Sequence, residues 1–483
     1  MSRTRQLIAL GTLFAMLLLP WLNFDAEPGR ISEVDNRQLT DTPPLSLWHA
    51  NDWVEYINDR IGFREAAINT YQDLEYAIFG TVGVPGLHAG TGGEIYTDGA
   101  HWYNEGIVTG LADHVAAMQT YCEQRDIPFL YVIAPEKSEV YADNQAPGYP
   151  TGPRPVTKRL IELLEEREVE FLDLTPVLVE AKNETGERVF NRRYDPRHWN
   201  ELGAFYGVNA IIERMRQWFP QLETNELDDF DISTDFAEYA VNSKFRIDDE
   251  YPRLELKEEL GSPDVRILDD ARISYQHRTR DETSSKSDGP RLLSLSGSYF
   301  NPKQQFLGNQ FKEMYTVHNY ENVADLDYYV NIVRPEAVVF TTATYTINSD
   351  FFDTETLETR VFSPPLAEPE SVSSELRSAE ARLTSNGLMR LCVLAEDTDD
   401  PRYIWLQSGD QTYDLRAREW GYNLYDFNGG DEFSEEELET ECLMADIPLD
   451  EVYDWDTDSF ADMRLFVEDM SGTLSDWIVE IIQ

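Results

Sequence analysis

Leu292-Leu293-Ser294-Leu295-Ser296-Gly297-Ser298-Tyr299 is an apolar run that breaks into small residues. Such a run predicts a buried strand that feeds directly into a tight turn, with a helix behind it. A serine in that turn stands at the carboxyl end of its strand, where open α/β sheets form their crevices. Its hydroxyl would be exposed there, and neighbouring backbone N–H groups could hold an oxyanion. Two readings of Ser298 follow. It caps the next helix by accepting an N–H bond, or it is a nucleophile.

The flanking sequence sets the class of sheet. Upstream, Ile107, Leu111, Val115, Met118 and Cys122 recur at helical spacing, and Phe129–Ala134 is an apolar run between Pro128 and Pro135. A helix over 156–166, a strand over 169–172 and a strongly periodic helix after Asn200 repeat the alternation. Downstream, a helix is expected over 303–314 and a strand over 337–341. Strands alternating with helices predict a mostly parallel sheet covered on both faces, a three-layer α/β architecture. Helices over 46–59 and 63–79 precede it, and the acidic stretch 220–288 reads as irregular. After Pro364-Pro365 the pattern becomes short runs (388–394, 403–407, 463–467) divided by turns, which predicts an all-β, sandwich-like domain. The expected organisation is therefore an N-terminal segment over 1–24, an α/β domain over 25–365 and a β domain over 366–483.

Charge excludes several functions. The 483 residues carry 90 Asp and Glu against 40 Lys and Arg, a formal charge of -50. A field of that sign repels phosphate backbones, so no nucleic-acid partner is expected. Only eight of the 40 basic residues are lysines, and abundant carboxylates with few lysines suit a protein kept soluble in concentrated salt. Three cysteines, Cys122, Cys392 and Cys442, show no CxxC spacing, so neither a zinc ribbon nor a thioredoxin-type site is expected. The acid cluster Asp431–Glu441 lacks the spacing of a calcium loop and reads as solvated surface. No metal and no cofactor are expected.

Arg3 and Arg5 precede an apolar run from Leu7 to Phe24, and Asp25 and Glu27 follow it. Positive charge before the run and acid after it direct the body of the chain away from the cytoplasm. The run is expected to be an uncleaved signal anchor in the membrane. An extracytoplasmic compartment permits a disulfide, and Cys392 with Cys442 is the candidate pair.

Nucleophilic catalysis by serine needs an imidazole to take its proton and a carboxylate to fix that imidazole's tautomer. Two stretches read Asp-x-x-His-Trp: Asp98 to Trp102 and Asp195-Pro196-Arg197-His198-Trp199. The second opens a long amphipathic helix and is held rigidly, so His198 and Asp195 are preferred over His101 and Asp98.

Read on to Ala204, the second stretch resembles the signature of the SGNH hydrolase-like proteins of alginate O-acetylation, the AlgJ/AlgX type. Four other stretches fit that family in order: Asp35-Asn36-Arg37; Asn58-Asp59-Arg60-Ile61-Gly62-Phe63-Arg64; Ala134-Pro135-Glu136-Lys137-Ser138-Glu139-Val140-Tyr141; and Ser296-Gly297-Ser298-Tyr299 as the nucleophile turn. Together they cover roughly residues 30–350. Two departures stand out. Pro196 and Arg197 both separate Asp195 from His198, where the family has one residue, and Ser296 replaces the glycine that opens its nucleophile turn.

The resemblance implies an SGNH-type, flavodoxin-like domain that transfers an acetyl group to hydroxyls of an extracytoplasmic polysaccharide, with a membrane-bound acyltransferase supplying the acetyl. Ser298 would be acylated, His198 would shuttle the proton and Asp195 would orient His198. The Ser298 backbone and Tyr345 are the oxyanion candidates. With water admitted, the same triad is an esterase. A non-catalytic polysaccharide-binding or assembly protein of the same fold is the alternative from another class. Arg188, Arg192, Arg193 and Arg197 crowd the approach to His198. They read either as partners of local carboxylates or as a cationic patch for an anionic polymer. Arg192, Arg193, Arg197 and Trp199 are the candidate substrate contacts.

The uncompensated charge has a measurable consequence. Screening relieves repulsion within the compact state, so the thermal unfolding midpoint should rise from low to molar salt. A flat or falling midpoint would remove the salt-adapted reading.

Overall fold

The computed structural model describes residues 50–482 apart from several segments, the longer ones at 240–245, 280–288, 395–400 and 420–440, and parts of 1–49. Most of the expected anchor, Asp35 and Asn36 of the Asp35-Asn36-Arg37 motif, the first Asp-x-x-His-Trp stretch and nearly all of the acid cluster lie outside the described residues. Among the described residues, no helix is long and apolar enough to cross a membrane.

The central sheet has seven strands: β1 (Phe129–Ala134), β2 (Phe171–Asp173), β3 (Asp264–Asp270), β4 (Ile273–Thr279), β5 (Arg291–Ser296), β6 (Glu313–His318) and β7 (Ala337–Ala343). Their spatial order is β2-β1-β7-β5-β6-β4-β3. The five strands β2, β1, β7, β5 and β6 run parallel, and β4 and β3 extend the sheet antiparallel. Counted from β5, the parallel part reads 2-1-3-4-5, the flavodoxin-like order. The chain enters that order partway round, so strands four and five come first in sequence.

Side-chain alternation explains why the sheet lies buried between two layers. Along β1, Leu130, Val132 and Ala134 enter one core, while Phe129, Tyr131 and Ile133 enter the other. Val338 and Phe340 of β7 join the second core, and Ala337, Val339 and Ala343 the first. A strand covered on both faces must be apolar on both, which is why these runs show no polar alternation. Helices α3 (Thr175–Thr185) and α4 (Glu201–Met215) close the first core. Helices α1 (Glu105–Glu123), α2 (Pro155–Glu166) and α5 (Leu326–Val333) close the second.

Two local expectations fail. The stretch 220–288 is not irregular: it holds a long hairpin, Phe230–Tyr239 with Arg246–Leu256, and then β3 and β4. In the first hairpin strand Ile232 and Phe236 are exposed among acidic residues, so the ladder buries little apolar surface that could mark it in sequence. The helix expected over 303–314 is confined to Gln304–Gly308, and the chain then enters β6.

The C-terminal unit contains β8 (Leu376–Leu383), β9 (Leu388–Leu394), β10 (Pro401–Ser408), β11 (Gln411–Asp414), β12 (Arg416–Glu419), β13 (Glu441–Pro448), β14 (Met463–Asp469) and β15 (Leu474–Ile482). They form one ladder in the order β11-β10-β14-β15-β8-β9-β13-β12. Its end strands β11 and β12 are separated only by Leu415, so the sheet must curl until its two edges meet. The curl encloses a single core of Leu391, Val393, Leu406, Tyr413, Leu443 and Leu465, among others.

Polar groups dock this unit onto the α/β unit. Asp414 accepts from Tyr121 Oη at 2.6 Å and from Arg125, and exchanges backbone–side-chain bonds with Asn331. Arg416 pairs with both Asp325 and Asp327. Tyr328 Oη donates at 2.7 Å to Asp446, itself in a buried pair with Arg390. Cys392 of β9 and Cys442 of β13 are joined as a disulfide, and Cys122 is buried on α1. Burial pushes the Cys122 thiol well above its ordinary range. Thiol counting under denaturing, non-reducing conditions should therefore find one free thiol; three would refute the bridge.

Candidate functional site

The register of the parallel sheet gathers the site. Ser296 pairs with His318 across β5 and β6, and Leu295 with Phe340 across β5 and β7. Chain segments leaving these three strands therefore emerge side by side at their carboxyl ends. Ser298 opens a short 3-10 turn, Ser298–Phe300, directly after β5. Tyr345 lies in the equivalent turn, Thr344–Thr346, after β7.

His198 arrives from the loop before α4, which is pinned at several points. Asn200 caps α4 by accepting from the Gly203 N–H at 2.9 Å, and its amide donates to the Arg188 carbonyl at 2.7 Å. Trp199 is fully buried; its indole N–H donates to the Tyr299 carbonyl at 2.8 Å, and its ring packs on Tyr299 and Phe300. Trp199 is therefore corrected from substrate contact to buttress. It ties the histidine loop to the nucleophile turn and has no surface to offer a ligand. The fit depends on Gly207, where a Cβ would sit 2.2 Å from the indole ring.

Within this frame His198 Nδ1 lies 2.7 Å from Asp195 Oδ1, and His198 Nε2 lies 3.2 Å from Ser298 Oγ. With Nδ1–H donated to the carboxylate, Nε2 is left as the acceptor for the serine proton. Burial alone would raise the Asp195 pKa. The His198 hydrogen bond and charge, together with nearby Lys303, outweigh burial and hold it below the usual carboxylate range. Asp195 adopts a left-handed backbone with φ 46°, a conformation that aspartate tolerates better than most residues. The two residues before it are clamped, since Asp249 Oδ2 accepts from the Arg193 N–H at 2.7 Å and the Tyr194 N–H at 3.0 Å. The Tyr345 hydroxyl stands 3.2 Å from His198 Nε2 and 3.5 Å from Ser298 Oγ, and burial keeps its phenol protonated.

The arginine cluster divides. Arg188 pairs with the buried Glu94, and Arg193 donates to the Gly93 carbonyl and to Tyr76 Oη. Both therefore serve the scaffold, while Arg192 and Arg197 are exposed. The charge of Arg197 reaches Tyr345 and Glu136.

Three residues near the triad escape a sequence reading. Asp249 lies in the hairpin taken as irregular. Lys303 is buried near Asp195 and Glu201, and burial lowers its pKa. Tyr320 follows β6, of which only the first two residues fall in the expected helix and the rest carry no expectation, so nothing in the sequence marks it as standing at a strand's carboxyl end.

Strand order and turn positions together give an SGNH hydrolase-like fold, with serine, histidine and aspartate in line at its strand ends. Residues 98–239 match the SGNH hydrolase-like domain of acetyltransferase AlgX. The O-acetyltransferase domain of Pseudomonas putida AlgJ is similar at 15% identity, with a TM-score of 0.40 over 57% of this chain and 99% of that one. Bacillus cereus PatB1 with a sulfonyl adduct is similar at 12% identity, with a TM-score of 0.44 over 54% and 96% of the two chains. Pseudomonas aeruginosa AlgX gives 12% identity and 0.39 over 72% and 85%. No curated protein sequence matches the chain.

The packing of Trp199 can be tested directly. Gly207→Ala forces a methyl group into the indole ring, so it should destabilise the fold by about 1–3 kcal/mol and shift the tryptophan fluorescence. An unchanged thermal midpoint would show that the ring is not held as described.

Proposed function

We propose that this chain is an extracytoplasmic O-acetyltransferase that acts on a polysaccharide through an acyl-serine intermediate. The observation that supports it is the unbroken chain from Asp195 through His198 to Ser298, at 2.7 and 3.2 Å. Ser298 Oγ attacks the carbonyl carbon of an acetyl ester, and its proton passes to His198 Nε2. The carbonyl π electrons move to oxygen, then return as the donor's leaving oxygen departs with the proton from His198. An acceptor hydroxyl repeats the sequence in reverse on acetyl-Ser298. Asp195, ionised, stabilises the imidazolium formed in each half without taking the proton.

A polysaccharide acceptor fits the class of the matched domain. Exposed Arg197, whose charge reaches Tyr345 beside Ser298, favours an anionic polymer, with exposed Arg192 on the same loop. The apolar N-terminal run with its flanking charges supports work outside the cytoplasm, with a membrane-bound acyltransferase as the source of acetyl groups. Access of water to acetyl-Ser298 would make the same triad an esterase.

Turnover of p-nitrophenyl acetate, with and without acetylatable oligosaccharides, tests the proposal. Ser298→Ala should abolish turnover and the acyl adduct seen by mass spectrometry while leaving the fold intact. His198→Ala should be nearly as damaging, and Asp195→Ala less so. His101→Ala should retain activity; its loss alongside full activity in His198→Ala would assign the base to the other histidine. An inert wild type that binds polysaccharide would instead indicate a non-catalytic protein of this fold.

A further inference from the structure

Asp195 and His198 make their 2.7 Å contact from a segment that belongs to no helix or strand. A regular hydrogen-bond pattern therefore does not fix their geometry, and Asp195 carries strain. Its φ of 46° is left-handed. The ring of Pro196, behind it, disfavours the right-handed helical region for the residue before a proline. A residue other than glycine stays left-handed only where its surroundings impose that conformation.

Two grips act on the chain just ahead of Asp195. The Arg192 carbonyl accepts from Lys137 Nζ at 2.6 Å and from the Ile95 N–H at 3.0 Å. One residue further on, Asp249 Oδ2 accepts from the Arg193 N–H at 2.7 Å and from the Tyr194 N–H at 3.0 Å. Each peptide unit is planar. Two N–H groups converging on one carboxylate oxygen therefore fix the Arg192–Arg193 and Arg193–Tyr194 units, from which the chain enters Asp195.

Asp249 reaches the loop from outside the central sheet, on the second strand of the long hairpin, Arg246–Leu256. That strand is itself anchored to the loop and to α4. Tyr251, two residues on and so on the same strand face, stacks on the Tyr194 ring with centroids 4.8 Å apart. The Leu254 N–H donates to Glu201 in the first turn of α4, and the Leu254 side chain lies in the first core. The hairpin thus grips the histidine loop at Tyr194 and the helix that follows it at Glu201.

We propose that Asp249 is a positioning residue: it holds the Arg193 and Tyr194 N–H groups so that Asp195 keeps the left-handed backbone that lays its carboxylate on His198 Nδ1. The inference rests on the acyl-serine reading above, in which Asp195 orients His198. Among the described residues Asp249 makes no hydrogen bond to His198 or Ser298, so it acts on them through Asp195.

Asp249→Ala releases both N–H groups. On p-nitrophenyl acetate it should lower kcat on the order of 10²-fold, the cost of displacing a catalytic group by about 1 Å, with KM within about twofold. Asp249→Asn keeps an oxygen that can accept both bonds and removes the charge, so it should return kcat to within about threefold of wild type. In an Asp195→Ala background Asp249→Ala should have no further effect, because the carboxylate it places is gone; independent effects would multiply. Sulfonylation of Ser298 by phenylmethylsulfonyl fluoride, followed by intact-protein mass spectrometry, should show the same ranking. So should the downfield proton resonance of His198 Nδ1–H, identified by its loss in Asp195→Ala: lost in Asp249→Ala, kept in Asp249→Asn. Wild-type rates in Asp249→Ala, or losses that multiply with Asp195→Ala, would overturn the assignment. An asparagine variant as slow as the alanine one would overturn it in favour of a purely electrostatic role. A wild type that is sulfonylated but does not turn over acetyl esters would end the acetyl-transfer reading, while the labelling ratios still decide Asp249. A wild type neither labelled nor active would remove the acyl-serine reading, and the imidazole resonance would still decide whether Asp249 sets the Asp195–His198 contact.

Discussion

The hydrogen bond from the Trp199 indole to the Tyr299 carbonyl joins two loops that lie one hundred residues apart in the chain. His198 precedes the tryptophan and Ser298 precedes the tyrosine, so the bond spaces the imidazole and the serine hydroxyl from the side away from solvent. It lies in a fully buried setting, where an unmatched donor or acceptor would cost about 1–3 kcal/mol. Gly203 and Gly207 give the indole a smooth face of α4 to lie against; at Gly203, too, a Cβ would collide, here with the Val189 carbonyl. Every short distance in the triad depends on this arrangement.

Around that joint the chain uses charge sparingly inside and heavily outside. Its internal cations are mostly arginines: Arg154 against Glu136, Arg390 against Asp446, and Arg416 against Asp325 and Asp327. A planar guanidinium can satisfy two acceptors at once and stays charged when dehydrated, which lysine does less well. Lys137, paired with Glu94, shows the contrast: burial brings its pKa down to about 8. The preference for arginine noted in the composition is thus put to use in the ion pairs between and within the two units.

Much of this was legible before any coordinates. The runs at 129–134, 292–295 and 337–341 are apolar on both faces and could belong only to a covered sheet. The Asp-x-x-His-Trp stretch ahead of a periodic helix points to His198, the imidazole that lies against Ser298. What stayed hidden had local causes. The hairpin carrying Asp249 leaves even Ile232 and Phe236 exposed, so no buried face marks it in the sequence. The helix expected over 303–314 spans a five-residue helix and the first two residues of β6, and the rest of that strand, with Tyr320 beyond it, shows no pattern of its own. Trp199 looked like a surface aromatic because a sequence does not say which side of a loop faces the core.

The permuted strand order affects how the molecule comes into being. A chain made from its amino end completes β1 and β2, the histidine loop and α4 long before the serine turn exists, and β7 is the last strand of the central sheet to appear. Yet β7 lies between β1 and β5. Until it slides into that gap, the sheet is two separate half-sheets, each with an open inner edge, and His198 and Ser298 belong to different halves. Closing such non-local pairings is a slow and late event. A polypeptide passed across a membrane segment by segment would therefore keep its histidine and serine apart in transit. They would meet with the insertion of one strand.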